Sequence, residues 1–120
     1  MYHVKRYSRV EYEGPTSAHK RPPGLKMCKS EIQVIRQPDE DFLRKKGVFD
    51  WPTWGCETSR FPWTYYESES CYLLEGNVVV TPSDGRTAVS FQKGDYVTFP
   101  SGLACVWDVK EAVLKHYMFH

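Results

Sequence analysis

The sequence predicts an all-β fold: one antiparallel β-barrel with a short helix ahead of it and a basic, poorly structured stretch ahead of that. Three observations carry the prediction. Short runs rich in β-branched and aromatic residues recur from Cys71 to the C-terminal end, turn signals separate them at close intervals, and no internal repeat divides the chain. Many short, evenly spaced strands are the pattern of an antiparallel sandwich or barrel, and the lack of a repeat favours one barrel over a duplicated one. At 120 residues, 41% hydrophobic and 15% aromatic, the chain suffices for one core and is too apolar for disorder. No run approaches the ~18 consecutive apolar residues that suggest a membrane-spanning helix.

Lys and Arg number 16 against 15 Asp and Glu, a net charge of +1 that gives the barrel no reason to seek nucleic acid or a membrane. The balance is uneven along the chain. Residues 1–29 carry seven basic and two acidic side chains, and residues 30–120 are correspondingly acidic, at −4. The first segment has no hydrophobic period, is broken by Gly14-Pro15 and Pro22-Pro23-Gly24, and lacks the apolar stretch of a secretory signal. It reads as a mobile tail, with a targeting remnant or an arm for an acidic partner as alternatives. The domain proper is placed at residues 30–120.

Within that domain, Glu31–Arg36 alternates as a strand does. Pro38-Asp39-Glu40-Asp41 then opens a helix, its acids lying at the positive end of the helix dipole, and Gly47 ends it. The expected strands are Cys71–Leu74, Val78–Val80, Thr87–Phe91, Tyr96–Phe99, Ala104–Trp107 and Val113–Phe119. The turns between them fall at Glu75-Gly76-Asn77, Ser83-Asp84-Gly85-Arg86, Lys93-Gly94-Asp95 and Pro100-Ser101-Gly102. Asp84-Gly85 is the strongest hairpin signal, because both residues tolerate positive φ.

These turns also match a family pattern. Gly94-Asp95-Tyr96-Val97-Thr98-Phe99-Pro100-Ser101-Gly102 has the G-x5-P-x-G form of the second cupin motif, and Glu69-Ser70-Cys71-Tyr72-Leu73-Leu74-Glu75-Gly76 has the E-x6-G end of the first. With Trp51-Pro52-Thr53-Trp54, Phe61-Pro62-Trp63-Thr64-Tyr65 and Lys115-His116-Tyr117, the match runs over about residues 31–120. The chain resembles the RmlC-like cupins, and within them the small single-domain branch related to the (S)-ureidoglycine aminohydrolase cupin domain. The resemblance implies a jelly-roll-like barrel and pairing as a homodimer through the sheet. It does not fix a chemistry.

Metal-binding cupins use H-x-H-x3-E in the first motif and a His after the second. Projected here, those positions hold Trp63, Tyr65, Glu69 and Cys105. Only the Glu remains, so no cofactor is expected; a divalent transition metal, if one bound, would use Glu69 and Cys105. What the resemblance leaves is a pocket around Glu69. Side chains alternate along a strand, so Cys71 shares the face of Glu69, Trp107 that of Cys105, and Trp63 that of Tyr65. On the last strand, either Lys115, Tyr117 and Phe119 or His116 and Met118 point inward, and the family match favours Lys115 and Tyr117. The candidate set is therefore Trp63, Tyr65, Glu69, Cys71, Cys105, Trp107, Lys115 and Tyr117. Aromatics around one acid suit a small polar or cationic ligand. The same aromatics fill a small barrel without any ligand, and a buried Glu69 then needs Lys115 or Tyr65 as its partner.

The cysteines, Cys28, Cys56, Cys71 and Cys105, form no C-x2-C pair, which argues against structural zinc and for free thiols in a reducing compartment. Cytoplasm is the expectation; a plastid or other organelle is the alternative, since proteins of this resemblance occur in both settings. Three functions are in view: a metal-free barrel binding a small molecule, an enzyme using Glu69 as acid or base (with or without a metal), and an interaction subunit without chemistry.

Overall fold

A computed structural model describes residues 30–120; the basic tail predicted at 1–29 lies outside the described residues. In order, the elements are β1 (Gln33–Ile35), α1 (Glu40–Lys46), a 3-10 turn (Val48–Asp50), β2 (Thr53–Cys56), β3 (Ser59–Thr64), β4 (Glu69–Pro82), β5 (Val89–Gln92), β6 (Tyr96–Phe99) and β7 (Ala104–Phe119). All seven strands belong to one antiparallel sheet.

Two long strands form its spine. β4 and β7 pair from Glu69↔Phe119 to Pro82↔Cys105, with register shifts between Leu73 and Val78. On either side of that irregularity the ribbon has different neighbours. The first half of β4 pairs with β6 and the second with β5, while β7 pairs first with β3 and then with β2. The sheet folds over at this irregularity, so that Cys71, Leu73, Val97, Phe99 and Val113 of one half share a core with Val78, Val80, Phe91, Trp107 and Val109 of the other. The predicted all-β barrel is thereby present.

Some expected boundaries move. Glu75-Gly76-Asn77, read as a turn, is a bulge inside β4, which joins two expected strands into one. Gly76 has φ 115°, and a β-carbon there would lie 2.6 Å from Val113 Cγ2 and 2.8 Å from the Ala112 carbonyl oxygen. Turn and bulge both select glycine for positive φ, and here it serves a close approach to β7. The runs 104–107 and 113–119 likewise merge into β7. Asp84-Gly85 does connect a hairpin, β4 to β5, but through residues 83–88, so β5 begins at Val89 rather than Thr87. β1 is shorter than the alternating run that predicted it. β2 and β3 had no predicted strands at all: Gly55 and Pro62 weaken their strand signal, and Pro62 is tolerated because β3 pairs along one side only.

α1 forms where its caps place it. Asp39 accepts a hydrogen bond from the Phe42 N–H at 2.9 Å, Arg44, Lys45 and Lys46 occupy the last turn, and Gly47 closes it at φ 75°. Its Leu43 packs with Val48 and Tyr96, alongside Trp51 and Tyr72. Tyr72 and Tyr96 alternate with core residues Cys71 and Val97, so the helix covers the outer face of the sheet, away from the barrel interior.

The turn between β5 and β6 is held by Asp95, which is 1% exposed. Its carboxylate accepts from Arg36 Nη1 at 2.9 Å, Gln37 Nε2 at 3.0 Å, the Gln37 N–H at 3.4 Å and the Gln92 N–H at 2.9 Å. This acid ties β1 to the β5–β6 connection.

Candidate functional site

The barrel interior is built by residues facing one another across strands. Directly opposed residues of an antiparallel pair project to the same face. On β7, Lys115 sits between Trp54 of β2 and Leu73 of β4, and Trp107 sits between Phe61 of β3 and Val80 of β4. Trp63 lies opposite Cys105, and Glu69 lies between Phe119 and Phe99. The alternative in which His116 and Met118 point inward is overturned: the His116 ring packs edge-on against Phe49, with Nδ1 2.9 Å from the Trp51 carbonyl oxygen, and Met118 is exposed.

These side chains enclose a cavity lined by Trp54, Phe61, Trp63, Tyr65, Glu69, Trp107, Lys115, Tyr117 and Phe119. Its volume is ≈ 30 Å³, the scale of a water molecule or two. Aromatic packing accounts for the small space. Tyr65 stacks on Phe99 with centroids 4.8 Å apart, Phe61 stacks on Trp107 at 6.0 Å, and Trp54 meets Trp107 edge-on at 6.1 Å. The Trp107 indole N–H donates to the Tyr65 hydroxyl at 3.2 Å, so both polar tips are satisfied inside the core.

One ion pair crosses this apolar interior. Lys115 Nζ donates to Glu69 Oε2 at 2.8 Å, with the two side chains only 6% and 4% exposed. The same Nζ lies 4.6 Å from the ring centroid of Trp107 and 5.0 Å from that of Trp54. The charge is therefore compensated by a carboxylate and by two indole rings. Of the two partners considered for Glu69, the structure selects Lys115.

Six of the eight predicted residues, Trp63, Tyr65, Glu69, Trp107, Lys115 and Tyr117, meet at the cavity. Cys71 and Cys105 do not line it; they lie beneath it in the core, with Cys105 Sγ 3.5 Å from the Trp63 carbonyl oxygen. Trp54, Phe61 and Phe119 line the cavity but were absent from the predicted set. Phe119 follows from the alternation that selected Lys115 and Tyr117, and Phe61 from its two-residue spacing to Trp63. Trp54 becomes visible only once β2 is paired with β7.

Burial sets the protonation chemistry. It pushes both the Cys71 and Cys105 thiols up from about 9 to about 12, with Glu69 adding to the rise and the Lys115 ammonium opposing it. Tyr65 is raised well above its ordinary value, first by burial and then by Glu69 and the two cysteines. At neutral pH the thiols stay protonated, which makes them weak nucleophiles. The donor set fits a divalent cation poorly: Trp63 offers no lone pair, and Glu69 already binds an ammonium that would repel the metal. Among the described residues, no group of three or more His, Cys, Asp and Glu gathers as a metal shell, and no helix is long and apolar enough to cross a membrane.

The family model for the EutQ-like cupin domain matches residues 43–117. A solved DUF861 family protein from Thermotoga maritima is 44% identical, covers 75% of this chain and 100% of its own, and superposes with a TM-score of 0.72. Two more distant structures share the fold. The EutQ protein of Clostridium difficile is 24% identical with a TM-score of 0.51, over 57% of this chain and 48% of that one. A putative ethanolamine utilization protein Q from Salmonella typhimurium is 22% identical with a TM-score of 0.50, over 56% and 53%. The chain matches about half the length of each of these two. No curated protein matches the chain.

Proposed function

We propose, from the premise that this chain belongs to the EutQ-like cupin domain family, that its barrel binds a small polar molecule through the Glu69–Lys115 pair without a metal. The observation that carries the reading is a buried, hydrogen-bonded ion pair at the wall of an aromatic cavity. The pair sets an ammonium and a carboxylate side by side at the cavity wall, the two charged groups by which a small polar molecule is recognised. The π-faces of Trp54 and Trp107 already hold the chain's own ammonium, so the fit favours a ligand that accepts hydrogen bonds, such as a carboxylate, amide or ureide, over a cation. The narrower likeness to the (S)-ureidoglycine aminohydrolase cupin domain makes ureides a sensible class to try. Space of ≈ 30 Å³ admits one small group, with the rest of a larger molecule lying against Tyr117 and Phe119, the latter 36% exposed at the rim. The buried thiols of Cys71 and Cys105, outside any disulfide, are in keeping with a cytoplasmic setting for this reading.

The test is tryptophan fluorescence titration with acetate, acetamide and urea. Saturable quenching that disappears in a folded Lys115→Met variant supports the reading. A flat response to all three, or a response indifferent to Lys115, overturns it in favour of the second reading, a barrel filled by its own side chains and acting as an interaction subunit. The small cavity volume is the observation that favours that alternative.

A further inference from the structure

We infer that the seat formed by Glu69, Trp54 and Trp107 is a primary-ammonium binding site, which Lys115 fills from within the same chain. The inference rests on the geometry around one nitrogen. Lys115 Nζ lies 2.8 Å from a carboxylate oxygen and 4.6 and 5.0 Å from two indole ring centroids. A carboxylate combined with π-faces is how a protein recognises a free alkylammonium, since the carboxylate answers the N–H donors and the rings answer the remaining charge. The three receptor groups come from three strands, β4, β2 and β7, and the lysine reaches them from β7. Guest and host are separable in principle, because the guest's only covalent tie is its own methylene stem.

The seat also contains Glu69, the one position that keeps the residue type of the cupin metal shell. The tethered ammonium contributes one positive charge beside that carboxylate. An unpaired carboxylate in this interior would be costly, and the lysine is the compensation the chain supplies itself. This inference concerns the seat and its built-in occupant and stands independently of the ligand reading.

Removing the stem tests it. Lys115→Ala leaves the seat intact and opens a channel the length of the lost chain. Its melting temperature falls well below that of the natural protein, and n-propylammonium restores several degrees saturably, while 1-propanol and tetramethylammonium do not. The natural protein gains nothing from propylammonium, and the Glu69→Gln, Lys115→Ala double variant loses the rescue. Equal rescue by 1-propanol, which would mean mere filling of space, overturns the inference, as does rescue that survives Glu69→Gln. Should Lys115→Ala fail to fold, the natural protein decides the matter by proton–nitrogen correlation of its lysine ammonium groups. A slowly exchanging signal shifted upfield by the indoles, and absent from Lys115→Met, upholds the seat. A full set of rapidly exchanging, unshifted lysine ammonium signals overturns it.

Discussion

Asp95 and Glu69 are both buried acids, and they are satisfied in opposite ways. Asp95, at 1% exposure, accepts four hydrogen bonds, two of them from backbone N–H groups and one from the half-exposed Arg36 guanidinium. Glu69, at 3%, is held by the ammonium of Lys115, and what surrounds the pair is aromatic. The first arrangement is redundant, and it ties β1, whose partners lie 58 and 59 positions away, to a turn. The second joins residues 46 positions apart and borders a cavity. Burial alone does not distinguish these two acids; the identity and redundancy of their partners do.

The strongest way to break this comparison is to unpair the interior. Lys115→Met or Glu69→Gln leaves an uncompensated buried charge, and each is expected to cost ~3–5 kcal/mol in urea unfolding. The Glu69→Leu, Lys115→Met double variant is expected to lose far less than the sum, since both charges go together. Additive losses would show that the pair is not coupled. At the other acid, Asp95→Ala is expected to cost ~2–3 kcal/mol, because it strands N–H donors of Gln92 and Gln37. It should leave the tryptophan emission of the folded protein unchanged, whereas the interior variants shift it.

A smaller effect separates the two regions by pH. Cys71 and Cys105 hold their protons to about 12 when folded, while unfolded thiols lose theirs near 9. The unfolded state therefore binds fewer protons above that point, and stability falls as pH rises from about 9 towards 12. The expected loss at pH 10 is about 1 kcal/mol per thiol, visible as a drop in melting temperature. Tyr65, raised for the same reason, adds to the fall at higher pH. Replacing Cys71 and Cys105 by alanine flattens the profile, while Asp95→Ala lowers the whole curve without changing its alkaline slope.

Much of the interior was legible in the sequence, because period-two alternation is a strict consequence of strand geometry. Once Glu69 faces inward, Lys115 and Tyr117 on one strand and Trp63 and Tyr65 near another follow from spacing and the family match. The Glu69–Lys115 contact was legible for an energetic reason, since a buried carboxylate needs a partner. Trp54 was missed because Gly55 depresses the strand signal of β2 and cross-strand pairing is not encoded locally; Phe61, two residues from Trp63, was obscured by Pro62 between them. The Glu75-Gly76-Asn77 bulge was read as a turn for the same reason: glycine at positive φ is common to both, and only the approach of Val113 distinguishes them. Cavity volume depends on how Tyr65, Phe61 and Trp107 stack, a property of assembled packing that no local pattern specifies.

The two-strand spine has a consequence for how the molecule assembles. β4 and β7 meet across most of the barrel, and β1 reaches β6 some sixty positions along the chain, so few of the stabilising contacts are local. Long loops must close before either half-sheet gains its partner, which places the chain among slow folders of high contact order. Until β7 arrives, Glu69 faces no ammonium and Trp54 and Phe61 have no strand to lie against. The aromatic cavity is therefore complete only when β7 lies against β2, β3 and β4 together.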